Sequence, residues 1–381
     1  MLLLLMFIAA AIAYEIQNQV FRIWYGKGLR VKIDFQKDYI EEGQTAQLRE
    51  VIENRKWMPL PVVHVSFHTG NGLEFKNQKN INVSDTTSRR EVFSLLWNQR
   101  VTRRLTFQGR KRGHYYIETA DINVYNFLMT RKYYLEQKQT TQMYVYPKHI
   151  PTDRLNILME RIFGMQQGQD RFYEDVLSFA GIREYIPGDE KKRINQKASA
   201  RAGKLLVNVY DSVMAQKVVI LLELSDKGIW KQEELAEEGI ALAASLSHRL
   251  MKAGNDVALY SNGRTGEDPL SISFGKDNGK LHRIYRGLSD INLSKEPEEA
   301  QAMIARAVQD TKDSGTSYLL ISKNVKEGYS LSMKEQVMEQ NPQSLDKSFM
   351  QIVPCHKTLT GEKQVLPAAP GVEHVIWAVE G

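Results

Sequence analysis

From residue 28 to about 148 the chain alternates apolar and polar positions with period two. The segments "LRVKIDFQ", "PVVHVSFHT" and "YYIETADINVYNF" each put every second side chain on one face, which is the pattern of a half-buried strand. Turn signals separate them: "EEGQ", "TGNG" and "QGRKRG". The two prolines of "ENRKWMPLP" suit a strand entry or edge, where a missing N–H costs no ladder bond. No long helical period interrupts the region, so it predicts a β-sandwich-like domain over 28–148, ending where Pro147 and Pro151 bracket a linker.

Beyond the linker the period changes. "DRLNILMERIF" has helical spacing at Leu155, Leu158, Met159 and Ile162. From about 205 strands and helices alternate. "KVVILLEL" is a continuous apolar run fit for a buried parallel strand, and "KQEELAEEGIALAASLSHRLMKAG" is a long helix closed by Gly254. "NDVALYS", a helix over roughly 297–311, "TSYLLIS", the helix "LSMKEQVMEQN", "MQIVPC" and "HVIWAV" follow. This order predicts an α/β domain over 205–381 with a mostly parallel sheet and helices on both faces, within an α+β multi-domain chain. Residues 149–204 form a linker with a basic turn and helix.

The first residues add a membrane element. "MLLLLMFIAAAIAY" is apolar throughout, but fourteen helical residues rise only about 21 Å, short of the roughly 30 Å hydrocarbon core. Ala11-Ile12-Ala13 fits a signal-peptidase site, although no Lys or Arg precedes the apolar run as a signal peptide requires. A core helix is a third reading, opposed by the lack of any polar face. The favoured reading is a single-pass anchor over residues 1–25, continuing through "YEIQNQVFRIWYGK" with Trp24 and Tyr25 at the interface. Arg22, Lys27, Arg30 and Lys32 then place the soluble domains on the cytoplasmic side by the positive-inside rule.

Composition narrows the chemistry only a little. The 381 residues are 42% apolar and 25% charged with a net charge of +6, a moderate bias toward acidic partners, anionic membranes or nucleic acid. The lone Cys355 sits in an apolar run and reads as a buried thiol. The eight histidines show no metal-ligand spacing, and neither a nucleophile elbow nor a phosphate-cradling loop with Lys-Ser/Thr is present. "SNGRTGED" reads as a polar surface loop. Ligands of open α/β sheets bind beyond the carboxyl ends of the strands. The first such end offers Glu223, Ser225, Asp226 and Lys227, and the loop after "YLLIS" offers Lys323 and Asn324. A hard cation wants several oxygens, whereas Lys227 brings an ammonium. The expectation is therefore no metal and no cofactor, with Glu223, Ser225 and Lys227 as a degraded site.

The densest charge lies in "REYIPGDEKKRINQKASAR", with nine charges around a Pro187-Gly188 turn. Asp189 is a competent N-cap for a helix stopped by Gly203, on which Arg193, Lys197 and Arg201 recur every four residues. Arg183 and Glu184 can pair with that ridge across the turn. Such a ridge is either a solvated face or a grip for something negative. A second cluster, "RVTRRLTFQGRKRG", carries six cations with few interleaved aromatics, so nucleic acid is an unlikely partner.

These residues resemble the bacterial domain-of-unknown-function family 58. Its signature is matched by Arg183, Glu184, Tyr185, Pro187, Gly188, Asp189, Arg193, Ile194, Lys197, Ala198 and Arg201, with Gln196 where the family usually has tryptophan. "NRKWMPLPVVHV", "GRKRGHYYIETADINVYNF" and "YVYP" look like the family's upstream portion. The resemblance implies a C-terminal part similar to von Willebrand factor A domains, whose Asp-x-Ser-x-Ser metal motif is represented here by Glu223, Ser225 and Lys227. It also implies a MoxR-type AAA+ ATPase as partner. The resulting expectation is a non-catalytic, membrane-anchored interaction protein that uses Arg183, Glu184, Tyr185, Pro187, Gly188, Asp189, Arg193, Lys197 and Arg201. The alternatives are a nucleic-acid or phosphate binder using the basic clusters, and a metal-dependent adhesion-type module.

Overall fold

A computed structural model describes residues 2–76, 81–83, 86–167, 179–186, 194–210, 217–226, 232–275, 277, 279–310, 316–324, 329–340, 349–356 and 372–379. The chain divides into two compact units, residues 1–148 and 149–381.

The first unit opens with helix α1 (Leu2–Trp24). Ten strands follow: β1 (Leu29–Phe35), β2 (Tyr39–Glu41), β3 (Thr45–Asn54), β4 (Leu60–Gly70), β5 (Leu73–Phe75), β6 (Ile81–Val83), β7 (Thr86–Leu95), β8 (Arg100–Gly109), β9 (Gly113–Tyr125) and β10 (Lys132–Tyr146). They form a four-stranded sheet, β1-β3-β8-β5, and a six-stranded sheet, β2-β10-β9-β4-β7-β6. Inward positions of both sheets, such as Leu48, Ile52, Phe67, Phe107 and Ile122, share one core. That core is what the period-two alternation encodes.

The open edge of β1 is closed by side chains. On β10, Gln137, Gln139 and Thr141 accept from the backbone N–H groups of Val31, Ile33 and Phe35 at 2.8, 2.9 and 3.0 Å. Gln137 and Gln139 also donate back to the carbonyls of Leu29 and Val31 at 2.8 and 3.1 Å. Two amides and a hydroxyl thus stand in for a neighbouring strand and satisfy groups that would otherwise template edge pairing.

Helix α1 is a single helix of 23 residues in which the apolar run continues through the amphipathic stretch up to Trp24. Its window from Leu3 to Trp24 is long and apolar enough to cross a membrane, and almost none of it is buried. The last turns are the exception. Phe21 is wholly buried among Tyr133 and Phe127, with ring centroids 5.6 and 5.7 Å away. Lys56 donates to the carbonyls of Tyr25 and Lys27 just past the helix end, at 2.5 and 3.1 Å, a favourable place for a cation.

The second unit starts with α2 (Thr152–Gln167), whose predicted apolar face of Leu155, Leu158, Met159 and Ile162 is buried. Strands β11 (Phe179–Glu184) and β12 (Leu206–Tyr210) pair antiparallel around α3 (Gln196–Ala202). Helix α3 starts later than the sequence predicts. Ile194 forms a β-bridge with Val207, so the helix cannot already run at that point. Asn195, not Asp189, is the cap: its side-chain oxygen accepts from the N–H of Ala198 at 2.9 Å. Gly203 ends the helix at φ 65, as expected.

The main sheet comprises β13 (Lys217–Glu223), β14 (Asp256–Thr265), β15 (Asp268–Ile272), β16 (Thr316–Ser322), β17 (Phe349–His356) and β18 (Glu373–Val379). Its order is β15-β14-β13-β16-β17-β18, parallel except for the β14–β15 pair. On one face it buries α2, α4 (Glu233–Lys252) and α5 (Lys280–Asp290). On the other it buries α6 (Ala300–Gln309) and α7 (Tyr329–Gln340). Continuous apolar strands such as "VVILL" follow from this double cover. "SNGRTGED" is not a loop: Ser261 to Thr265 continue β14, and Ser261 and Asn262 are fully buried.

Candidate binding crevice at the carboxyl edge of the parallel sheet

Strands β13 and β16 are neighbours from which the strand order runs outward in opposite directions. Such a switch point leaves a crevice beyond the carboxyl ends, because the crossovers depart to different sides. A cavity of about 850 Å³ lies there. Ser225 and Asp226 after β13, Gln232 and Glu233 at the start of α4, residues 293–299 before α6, Lys323 after β16, and Tyr329 and Met333 of α7 line it.

Glu223 ties the floor together. It is 2% exposed, and both of its oxygens are engaged. One accepts from the N–H of Ser225 at 3.0 Å and the other from the hydroxyl of Ser322, on the adjacent strand, at 2.5 Å. Ser322 in turn accepts from the N–H of Asn324 at 3.1 Å. Asn262 performs the same service from β14. It accepts from the N–H of Leu224 at 2.8 Å and donates to the Ser225 hydroxyl and the Glu298 carbonyl at 2.8 and 3.1 Å. Three strand ends are thereby held in register by side chains.

Above this floor lies an ion pair. The Lys323 ammonium is 2.7 Å from Asp226, with 8% and 22% of the side chains exposed. Asp226 also accepts from the N–H of Gln232 at the entrance to α4, at 2.7 Å. Burial raises the Tyr329 phenol above its ordinary range, and the Glu223 charge adds to that, so the hydroxyl stays protonated at the crevice wall.

Glu223 meets the backbone N–H of Ser225, whose hydroxyl accepts from Asn262, so Glu223 serves as an internal acceptor. Lys227 lies outside the described residues. The ammonium at the site comes from Lys323, 97 positions beyond Asp226 by residue number, whose approach no local spacing announces. Asn262 and Ser322 were missed because their roles arise from strand adjacency. The signature residues lie elsewhere. Arg183 and Glu184 end β11 and Tyr185 follows; Glu184 pairs with Lys204, and Arg183 donates to the Glu184 carbonyl at 3.0 Å. Lys197 and Arg201 are exposed on α3. Pro187, Gly188, Asp189 and Arg193 lie outside the described residues. None of the described signature residues lines the crevice. In the second basic cluster Arg103 pairs with Glu91 and Arg110 with Glu74, so part of that charge is consumed internally.

No curated protein matches the chain. Among solved structures it is similar to AvmM, which catalyses macrocyclization in alchivemycin A biosynthesis, at 9% identity and TM-score 0.24, covering 33% of this chain and 92% of that one. The CARDB domain of the PF1109 protein from Pyrococcus furiosus, in complex with di-metal ions, follows at 12% identity and TM-score 0.20, covering 31% and 93%. A non-cellulosomal cohesin from Archaeoglobus fulgidus gives 11% identity and TM-score 0.20, covering 30% and 91%. Likenesses this slight assign nothing to the chain. Residues 181–334, fewer than half of its length and beginning at the signature strand, match the family described as Protein of unknown function DUF58.

Proposed function

We propose that the chain is a membrane-anchored, non-catalytic interaction protein whose second unit is von Willebrand factor A-like and docks a cytoplasmic protein partner, a MoxR-type AAA+ ATPase. The sheet order with one antiparallel edge strand and a crevice at the switch point supports the domain reading. The single observation that carries the functional reading is the Lys323–Asp226 pair over an already saturated Glu223. An ammonium neutralises the carboxylate where an adhesion-type module would hold a cation, so the crevice presents a fixed polar surface and, among the described residues, no open ligand set. The exposed cations Lys197 and Arg201, one turn apart on α3, supply a contact for an acidic partner surface.

The test is co-purification of the full-length protein from membranes with partners identified by mass. Reversing both charges, Lys197→Glu with Arg201→Glu, is expected to abolish recovery of the ATPase while the melting profile stays unchanged. Undiminished recovery with the double reversal overturns the assignment of the contact. Turnover of a substrate by the purified protein overturns the non-catalytic reading itself.

A further inference from the structure

We propose that the first unit binds a small dianion of the phosphate type, as a free ion or as a monoester, in a basic cavity between its two sheets. The cavity, about 360 Å³, lies where β8 of one sheet meets β7 of the other. Lys76, Arg89, Arg103 and Arg104 line it together with Glu91 and Thr106, so four cations stand against one carboxylate. Arg103 and Arg104 belong to the basic cluster "RVTRRLTFQGRKRG", which the partner contact on α3 does not use. Leu105 is the one apolar side chain among the described lining residues. The cavity therefore offers charge and hydrogen bonds, the means by which an oxyanion is held.

Two of the four cations are fixed in place before any ligand arrives. Arg89, with 3% of its side chain exposed, donates through Nε to one Glu91 oxygen at 2.8 Å and lies 4.9 Å from the centre of the Phe75 ring. Arg103 donates to the other Glu91 oxygen and lies 4.4 Å from the centre of the Phe93 ring. An aromatic face and a shared carboxylate thus orient both guanidinium planes. The other two cations have no such partner: neither Lys76 nor Arg104 has a carboxylate at ion-pair distance among the described residues. The backbone N–H of Lys76 donates to the Thr106 carbonyl at 3.1 Å, which fixes the lysine beside β8. Arg104 stands directly across from Arg49 in the β3–β8 pair, where like charges repel. Asp34 takes Arg49 at 3.1 Å and leaves Arg104 unanswered.

Glu50 is the second observation. It is wholly buried, sits across from Arg103 in the β3–β8 pair, and has no hydrogen bond on either oxygen among the described residues. Burial, with the Glu91 charge added, raises its pKa, and Arg103 and Arg89 oppose the rise. Those two guanidinia act on its charge yet both are committed to Glu91, so Glu50 keeps its proton. While it does, Glu91 cancels one of the four cations and three positive charges remain. The internal carboxyl that could have quenched the cavity stays neutral, and the excess is left for an anion from outside.

The test is calorimetric titration of the full-length chain in uncharged detergent with sodium sulfate, a probe that stays a dianion from pH 5.5 to pH 8. Sodium chloride at equal ionic strength is the control. Saturable binding is expected, about fivefold tighter at pH 5.5 than at pH 8, because the proton on Glu50 removes a negative charge from the cluster. Lys76→Gln with Arg104→Gln is expected to weaken it about tenfold at both pH values. Neutralising two exposed cations outside the cavity, Lys37→Gln with Lys138→Gln, is expected to leave it unchanged. Glu50→Gln is expected to hold the tighter affinity at both pH values, a signature that diffuse surface attraction does not give. Glycerol phosphate and inorganic phosphate, compared at pH 8, separate the two sources: tighter binding of the ester supports a monoester ligand, and equal affinity supports the free ion. Heat that chloride reproduces, or undiminished affinity after the Lys76 and Arg104 changes, overturns the site. A pH dependence that survives Glu50→Gln overturns the part given to Glu50.

Discussion

Each unit buries a glutamate completely or nearly so, and the two are held in opposite ways. Glu223, at the end of β13, gives each oxygen a donor: the Ser225 N–H and the Ser322 hydroxyl. Glu50, on β3 in the first unit, has neither oxygen hydrogen-bonded among the described residues, although it is 0% exposed. Its cross-strand neighbour Arg103 turns instead to Glu91, which also takes buried Arg89 at 2.7 Å. Burial pushes the Glu50 carboxyl up to about 7, and the Glu91 charge reinforces the shift. The difference teaches that depth alone does not define a buried acid. Donors make Glu223 a tie between strands, and their absence makes Glu50 a group that holds its proton.

The largest effect is expected from Glu223→Ala. It strips the acceptors from a buried hydroxyl and an N–H and leaves a void, which costs about 4 kcal/mol. Hydrogen exchange of the β13 and β16 amides should accelerate accordingly, with the first unit unaffected. Unchanged exchange would mean that the carboxylate does not join those strands.

Glu50 comes next, through pH. Its folded pKa is raised, so between about 4.5 and 7 the folded state binds more protons than the unfolded one. The stability it contributes is fully present below the unfolded pKa and is lost as pH rises through 7. Glu50→Gln is therefore expected to leave the first unit nearly unchanged at pH 4 and to stabilise it by about 3 kcal/mol at pH 8. Exchange protection of β3 and β8 followed against pH reads this out. A wild-type profile flat across that window breaks the comparison.

The smallest of the three is Lys323→Met. The pair with Asp226 is only partly shielded, so its removal should cost about 1 kcal/mol. The loss should appear as faster exchange at the start of α4, where Asp226 accepts from Gln232. A loss as large as that of Glu223→Ala would move the centre of the crevice from the carboxylate to the ammonium.

Local pattern made much of this legible. The period-two strands of the first unit, the apolar run of β13, the face of α2 and the Gly203 stop all follow from rules acting within a few residues. The α3 start was misplaced because the residue that caps it, Asn195, lies six positions beyond Asp189. Asp189 is a good cap by type, but pairing of Ile194 with Val207 defers the helix to Asn195. Asn262 was read as part of a polar loop since nothing nearby in sequence tells that β14 continues through it. Gln137, Gln139 and Thr141 lie in a wholly polar run, and their purpose, to stand in for a missing strand at the β1 edge, is visible only once β1 lies alongside.

By itself the sequence determined most of the long strands and helices and the apolar character of α1, but not the start of α3 or the run of β14 through Asn262, because periodicity, capping and hydropathy act over short distances. Tertiary structure alone decided that Lys323 faces Asp226, that Ser322 donates to Glu223, and that α1 is fastened to the β9–β10 turn from Tyr14 onward. Each of those contacts joins residues about a hundred positions apart, and their meeting depends on sheet order and strand register, which no local spacing records.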